Sequence, residues 1–506
     1  MKNTILKPLI IAFLLGAVLV FAFAPFYFWP LAIVSLSSLF ILTNKQAPRQ
    51  AFLTGLAFGY GVYGVGVSWV YVSLATYGGM PFWMGAIAVI GFAGILALFI
   101  AASAYLASRF FAGSLRLLAW PLIWLIFEWM KSWVLTGFPW LDIGYSQTPS
   151  WLFAWAPFGG VYLVSLMVLA LAALLAYAVL DRRIWPVIAS AALLASSFFL
   201  NTIETVEAIG KPLIVGVVQA NVDINSKWHI AQRDVLINRY RALSQQLQKD
   251  LNNKDSNKKL DLIVWPETAL PLYMQQTNAD FWRSITPVGT ALLTGIVDSP
   301  SLNSTDHRSL DESYNAAVLS CQGQTQVYRK RHLVPFGEYL PLRFLFNWVL
   351  EYLELPMSDL SAWQGQQNLS CGEINIGLSI CYEDAFANEY RQHVGDASVL
   401  VNISEDAWFG DSFAPHQRMQ MAQMRARELG RPLVRSANTG PSLFIDHKGK
   451  VQVATEQFSI QSVSHEVQPH TGETIYKRFG NWSVYLCFLL MASVLVFNRV
   501  KENARN

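Results

Sequence analysis

Leu378-Ser379-Ile380-Cys381-Tyr382-Glu383-Asp384 decides how the chain is read. The apolar run from Ile374 to Ile380 reads as a buried strand, and it stops at a cysteine followed at once by polar and acidic residues. A thiol is thereby placed at the C-terminal end of a strand, where open α/β sheets hold their ligands. Taken alone, the stretch is equally that of a small buried hydrophobe, the commoner fate of a free cysteine. Two other residues of chemical type, Glu267 and Lys330, also end or follow strand-like runs.

The composition narrows the class. At 506 residues the length alone suggests about three domains. Hydrophobic residues make up 53% and charged residues 14%, well below the roughly 25% of a soluble domain. Mean hydropathy is +0.32, so lipid must be part of the solvent. The net charge of +3 implies no polyanionic partner. There is no dense basic tract, zinc-type spacing or phosphate-loop glycine pattern, so neither nucleic acid nor nucleotide is expected. The four cysteines are Cys321, Cys371, Cys381 and Cys487, with no CxxC spacing. Cys487 lies in an apolar segment and reads as packing. Cys321 and Cys371 can pair in an oxidising compartment, but sequence does not fix their separation in space.

From Ile5 to Leu200 the chain is nearly all apolar segments with short breaks. Seven spans are expected near 6–24, 27–43, 52–74, 83–106, 117–135, 159–180 and 184–200, with an eighth at 482–497. The third carries Gly55, Gly59, Gly61, Gly64 and Gly66, which suits close helix contacts. The first run ends in Ala22-Phe23-Ala24, which mimics a signal cleavage site, but Pro25 and a second span follow, so an uncleaved anchor is expected. Lys2, Lys7, Lys45, Arg49, Arg109, Arg116, Arg182, Arg183, Arg499, Lys501 and Arg505 fall on one set of loop ends. The alternate loops are nearly bare of charge. By the positive-inside rule both termini are cytoplasmic and 201–480 lies on the far side, the periplasm of a Gram-negative cell. Glu128 and Lys131 sit three apart on one helix face, either as a self-satisfied pair or as a polar lining for a lipid headgroup.

After Asn201–Lys211 the composition turns polar, and β-rich runs alternate with amphipathic stretches, the pattern of an α/β sandwich. Strands are expected at 213–218, 260–265, 291–297, 315–320, 326–329, 374–380 and 399–403, and helices at 230–249 and 416–429. Leu340 to Leu355 is apolar but too short to span. It reads as a core helix or as a flap dipping into the bilayer beside the site. Trp228 is a candidate for a second such element.

Three motifs carry chemistry: Val264-Trp265-Pro266-Glu267-Thr268, the run Tyr328 to Glu338, and the Cys381-Tyr382-Glu383 elbow. A thiol of pKa about 8.5 is mostly protonated at neutral pH and needs a base. Glu267 is the candidate. Attack on an acyl carbonyl creates an oxyanion, which a fixed ammonium such as Lys330, helped by backbone N–H groups after Cys381, would stabilise. Glu338 would hold that lysine charged and aimed. Singly, each has a bland reading: a solvated strand-end glutamate, a surface lysine, and in His332 a hydrogen-bonded structural histidine. The order Glu, Lys, Cys, each in a specific motif, weighs against coincidence.

WPE at 265–267, K-x-H-L-V-P-F-G-E at 330–338 and C-Y-E at 381–383 resemble the Glu-Lys-Cys triad of the nitrilase superfamily. With membrane spans on both sides, the chain resembles end to end the apolipoprotein N-acyltransferase family of Gram-negative bacteria. The likeness extends through Asp406-Ala407-Trp408-Phe409-Gly410-Asp411 and Pro415-His416-Gln417. It implies a multi-pass α-helical membrane domain of about eight spans plus an αββα sandwich. The domains expected are 1–203 transmembrane, 211–470 catalytic and periplasmic, and 481–498 a C-terminal transmembrane helix. It implies Glu267 as general base, Lys330 as oxyanion stabiliser and Cys381 as nucleophile. Glu338, Tyr382 and Glu383 are implied as supporting residues, and Trp228 and Trp408 as substrate-handling ones. One departure is Glu405, where the family pattern has Asn before Asp-Ala-Trp.

The implied activity is a ping-pong acyl transfer in the inner membrane. The donor is a phospholipid, phosphatidylethanolamine, and the acceptor a diacylglyceryl apolipoprotein, with no metal or organic cofactor required. An alternative is a membrane-tethered nitrilase-type amidase hydrolysing a C–N bond, for which one span would suffice as a tether. A third is a non-catalytic scaffold, which the intact Glu267, Lys330 and Cys381 oppose.

Overall fold

The computed structural model describes residues 2–300, 312–341, 360–365 and 368–503. The expected apolar flap, Leu340 to Leu355, lies outside these apart from its first two residues. The chain divides into two compact units, Met1–Ala75 with Pro81–Thr205 and Thr474–Asn506, and Thr76–Met80 with Val206–Glu473.

The first unit is helical: α1 (Lys2–Leu19), α2 (Pro30–Thr43), α3 (Pro48–Gly66), α4 (Phe82–Phe110), α5 (Ser114–Lys131), α6 (Ala156–Asp181), α7 (Trp185–Leu200) and a C-terminal helix, Trp482–Asn503. Among the described residues two stretches are long and apolar enough to cross a membrane, α4 with 29 residues and Trp151–Asp181 with 31. At 1.5 Å per residue α4 is about 44 Å long. Four shorter apolar helices accompany them, Leu6–Ala22, Pro30–Thr43, Trp185–Leu200 and Trp482–Val496. Large apolar side chains such as Ile87, Ile90, Phe198, Phe199 and Leu489 stand exposed on these helices.

Two expected spans stop early. α3 ends at Gly66 rather than near 74, and the chain then coils through a π-helical turn at Val72–Tyr77. α5 ends at Lys131, and Leu135, at φ 54°, turns the backbone. The glycines of α3 do different things. A Cβ on Gly61 would lie 2.1 Å from the Phe13 carbonyl oxygen of α1, and one on Gly59 would lie 2.6 Å from Ala97 Cβ of α4. Gly64 faces open space.

Glu128 and Lys131 are buried, yet each is bonded elsewhere rather than to the other. Lys131 pairs with Asp142 at 2.8 Å and donates to the Trp140 carbonyl at 2.5 Å. Glu128 accepts from Trp124 Nε1, the Ile143 N–H and Ser165 Oγ. The two side chains hold the Trp140–Ile143 loop, which replaces the mutual pair read from their spacing.

The second unit holds β1 (Val206–Ala208), β2 (Leu213–Gln219), β3 (Leu262–Val264), β4 (Ala291–Asp298), β5 (Tyr314–Cys321), β6 (Gln324–Arg329), β7 (Leu369–Cys371), β8 (Ile374–Ile380), β9 (Val399–Ser404), β10 (Leu433–Ala437), β11 (Leu443–Ile445), β12 (Val451–Ala454), β13 (Gln461–Val467) and β14 (His470–Gly472). Among the described residues two six-stranded sheets have the orders β13-β2-β3-β4-β5-β6 and β12-β11-β10-β9-β8-β7, and β1 pairs with β14. The middle strands β2-β3-β4 and β8-β9-β10 are parallel.

Alternation along the strands builds the layers. Val215, Val217, Leu262, Val264 and Leu293 point into one core shared with Ile376, Leu378, Ile380, Val401, Ile403 and Val434 of the other sheet. Val218, Ile263, Trp265 and Leu292 point the other way, onto Leu236, Ile237, Tyr240 and Leu247 of α8 (Arg233–Lys254). Helix Ala414–Leu429 packs on β10 and β11. The result is an αββα sandwich. Strands buried on both faces read as continuous apolar runs, which is why β2, β3, β4, β8 and β9 stand out in the sequence.

Cys321, ending β5, and Cys371, ending β7, form a disulfide between the two sheets across a separation of 50 residues. Closing such a loop stabilises by about 4 kcal/mol in the chain-entropy description. A Cys371→Ser variant in detergent is expected to lose about 2–4 kcal/mol and melt at lower temperature. A variant melting with the wild type would contradict the bridge.

Candidate active site

The elbow follows directly from the end of β8. Cys381 has φ 49°, a left-handed conformation costing about 1–3 kcal/mol for a residue with a side chain. Several bonds hold it there. The Glu383 carboxylate accepts from the Ile380 N–H at 2.6 Å, the Arg331 N–H at 2.7 Å and the Tyr328 hydroxyl at 3.0 Å. Asn402 Nδ2 donates to the Cys381 carbonyl at 3.2 Å. Burial raises the Glu383 pKa, and the N–H donors of Ile380 and Arg331 pull against it. Glu383 thus ties the elbow to β8 and to the segment carrying Lys330. Tyr382 is buried edge-on against Phe386, with ring centroids 4.9 Å apart.

Glu267 follows β3 through Trp265 and Pro266. A Cβ at Gly295 of β4 would lie 2.7 Å from Glu267 Cα, so only glycine lets the Glu267 backbone approach that strand. Its carboxylate accepts from Asn315 Nδ2 at 2.6 Å and from the Glu405 N–H at 2.7 Å. Lys330 Nζ is 3.9 Å from Glu267 Oε1 and 2.8 Å from Glu338 Oε2. Glu338 also accepts from Asn315 and from the Val334 N–H, at 2.8 Å each. Burial works against the lysine's charge, but Glu338 and Glu267 outweigh it and hold its pKa above the ordinary value.

Cys381 shares this buried cluster. Its thiol is pushed up to about 11 by burial and by the Glu267 charge, with Arg418 and Lys330 pulling it down. Glu267, Lys330, Cys381, Glu338, Tyr382 and Glu383, picked out from sequence, therefore converge. Trp408 lies in the turn Asp406–Phe409, edge-on to Tyr77 at 6.3 Å. Trp228 is 37% exposed and is the least enclosed of the residues singled out. His332 stacks on Phe386 and faces Glu389 at 2.9 Å, a structural placement. Among the described residues no group of three or more His, Cys, Asp or Glu side chains is arranged to hold a metal.

Sequence reasoning passed over Lys227, Asn315, Asn402 and Arg418. Lys227 answers the question raised by Glu405. Its buried ammonium lies 2.7 Å from Glu405 Oε2 and donates to the Glu267 carbonyl at 3.1 Å. Asn438 Nδ2 donates to the same carboxylate. Burial raises the Glu405 pKa, and Lys227 opposes the rise. The only sequence signal for Lys227 was its place next to Trp228.

Such a fold and cluster define a carbon–nitrogen-hydrolase type of α/β unit, and the description "Carbon-nitrogen hydrolase" belongs to the family model that matches residues 214–476. A second model, "Apolipoprotein N-acyltransferase N-terminal domain", matches residues 15–174. An apolipoprotein N-acyltransferase of Vibrio vulnificus is 36% identical over 100% of both chains. One from Nitrosomonas europaea is 38% identical over 96% of this chain and 97% of its own. The chain belongs to the apolipoprotein N-acyltransferase family. Among solved structures, an amidase of the nitrilase superfamily from Nesterenkonia AN1 aligns at 13% identity and TM-score 0.34, over 56% of this chain and 100% of that one.

Removing one partner of a buried pair leaves the other charge uncompensated, at about 3–5 kcal/mol. Lys227→Met is expected to destabilise the protein by that order, and Lys227→Met/Glu405→Gln to recover most of the loss. Thermal unfolding of the single and double variants in detergent measures the coupling. Additive losses would contradict the pairing.

Proposed function

We propose that the chain moves a fatty acyl group from a membrane phospholipid, phosphatidylethanolamine, onto Cys381, and then to the α-amine of an S-diacylglyceryl-cysteine at the N-terminus of an apolipoprotein. The convergence of Glu267, Lys330 and Cys381 in one buried cluster carries the reading. With its thiol pKa near 11, Cys381 is protonated at neutral pH. Glu267 therefore takes the proton as Sγ bonds to the ester carbonyl carbon. Lys330 meets the developing oxyanion with a charge that Glu338 keeps in place. When the tetrahedral adduct collapses, the ester C–O bond breaks, and the lysophospholipid oxygen leaves with the proton from Glu267. In the second half the amine attacks the thioester and gives its proton to Glu267, which passes it to Sγ as the C–S bond breaks, leaving amide and thiol. No cofactor enters either half.

The helical unit suits substrates anchored in lipid. We read it as seven spans within 1–203 and an eighth at 481–498, in the inner membrane with both termini cytoplasmic. The sandwich, 211–470, then lies in the periplasm. The Cys321–Cys371 bridge supports an oxidising compartment. Tyr382, Trp228 and Trp408 are read as substrate-contacting.

Incubated with phosphatidylethanolamine and an S-diacylglyceryl peptide in mixed micelles, the protein is expected to yield N-acyl peptide and lysophospholipid in equal amounts, with ping-pong kinetics. Free fatty acid without N-acyl peptide would instead mark a hydrolase. Glu267→Gln is expected to slow turnover at least about 100-fold.

A further inference from the structure

Arg418 lies on the fifth residue of helix Ala414–Leu429, and its side chain is fully buried. Nη2 donates to the Cys381 carbonyl at 2.6 Å and to Asp384 Oδ1 at 2.8 Å. Nη1 reaches Cys381 Sγ at 3.6 Å. Asp384 also lies 3.6 Å from Arg435 Nη1, and Arg435 pairs with Asp406 at 2.9 Å. Burying a guanidinium costs several kcal/mol unless paired, and Asp384 offsets that cost. The contact to sulfur is of another kind. A neutral thiol is a weak acceptor and a thiolate a strong one, so this bond strengthens only as the nucleophile ionises. Preferential stabilisation of the charged species is what speeds a reaction.

We propose that Arg418 is a catalytic residue of this site: it donates to Cys381 Sγ, stabilises the thiolate, and anchors the left-handed elbow through the Cys381 carbonyl. The proposal rests on the covalent reading of Cys381 given above. Labour is divided between the two cations. Lys330, held by Glu338, serves the oxygen of the acyl group, and Arg418 serves the sulfur. During attack the Cys381 proton goes to Glu267, negative charge passes through Sγ to the carbonyl oxygen, and Arg418 neither gives nor takes a proton. When the neutral thioester forms, the Arg418–sulfur bond weakens. It strengthens again as the amine expels the sulfur, so Arg418 also favours the leaving group of the second half-reaction.

The charged and titratable groups around Sγ come from several elements. They are Glu267 after β3, Lys330 after β6 with Glu338 behind it, Asp384 and Tyr382 in the elbow, Asp406 after β9, and Arg418 itself. The test is the pH dependence of Cys381 alkylation by iodoacetamide on the full chain in detergent, followed by peptide mass spectrometry, with thermal unfolding of each variant. Arg418→Met/Asp384→Asn removes both charges of the buried pair, leaving no orphaned carboxylate. Its alkylation midpoint is expected to rise by about one to three pH units, and its acyl transfer to fall at least tenfold. Asp384→Asn alone frees Arg418 from its carboxylate, and its midpoint is expected to fall. A merely structural arginine would move neither midpoint, or both in one direction, and either result overturns the proposal. Should the double variant not fold, Arg418→Lys decides: a raised midpoint supports the proposal and a wild-type midpoint refutes it. Alkylation needs no acyl donor. If wild type fails to acylate while these midpoints shift in opposite senses, the covalent reading falls and the Arg418–sulfur interaction stands.

Discussion

Glu383 sits beneath the end of β8 with its carboxylate taking N–H groups from Ile380 and Arg331 and the hydroxyl of Tyr328. Those bonds reach two sheets at once, since Ile380 closes β8 and Tyr328 belongs to β6. Without them, Cys381 would have little reason to stay at φ 49°, where its side chain leaves the strand direction and enters the charged cluster. The same carboxylate grips the backbone next to Lys330, so the Cys381 thiol and the ammonium are positioned from one point. Two parallel-centred sheets packed face to face supply the frame. Their apolar strands stop together, and the residues just beyond the stops meet.

Charge inside the cluster is arranged in pairs. Lys330 has Glu338, Lys227 has Glu405, Arg418 has Asp384, and Arg435 has Asp406, all within 3 Å. Burial pushes the Asp406 pKa up, but Arg435 and Arg418 outweigh it and hold it below the usual range. Glu267 differs in kind. Its close partners are an amide and a backbone N–H, both neutral, and its lysine stands off at 3.9 Å. Such contacts aim a carboxylate without tying up its charge, which suits the general-base role proposed for it. Lys227 and the Glu405 backbone hold Glu267 from opposite ends, at carbonyl and carboxylate. The buried Glu405 carboxylate, at the position where Asn was expected, has Lys227 as its counter-charge.

β2, β3, β4, β5, β8 and β9, buried along most of their length, were legible as apolar runs, and the helix at Ala414–Leu429 was legible from its amphipathic pattern and its Gly430 stop. β10 was missed because Arg435 interrupts it, and that buried guanidinium is compensated by Asp406 and Asp384 and by hydrogen bonds to Asn402 and Ser404. β13 was missed because Ser462, Ser464, His465 and Glu466 leave few apolar positions to alternate. Glu267, Lys330 and Cys381 could be picked out because each follows a strand in a distinctive motif. Asn315 lies at the second position of β5, Arg418 on a helix and Lys227 in a loop, and they reach the site only through tertiary convergence, which no local pattern records. Glu128 and Lys131 teach the same lesson in the helical unit. Helical spacing suggested a mutual pair, whereas each bonds to a loop that the chain reaches only later.

The central claim is that Cys381 forms a covalent bond to a fatty acyl group. Intact-protein mass spectrometry after incubation with phospholipid alone, with no acceptor, tests it most directly. The account predicts a mass gain of one acyl chain, released by neutral hydroxylamine and mapped to the Cys381 peptide. A protein that turns over acceptor peptide while Cys381 never gains that mass, or a gain that persists in Cys381→Ala, would contradict it.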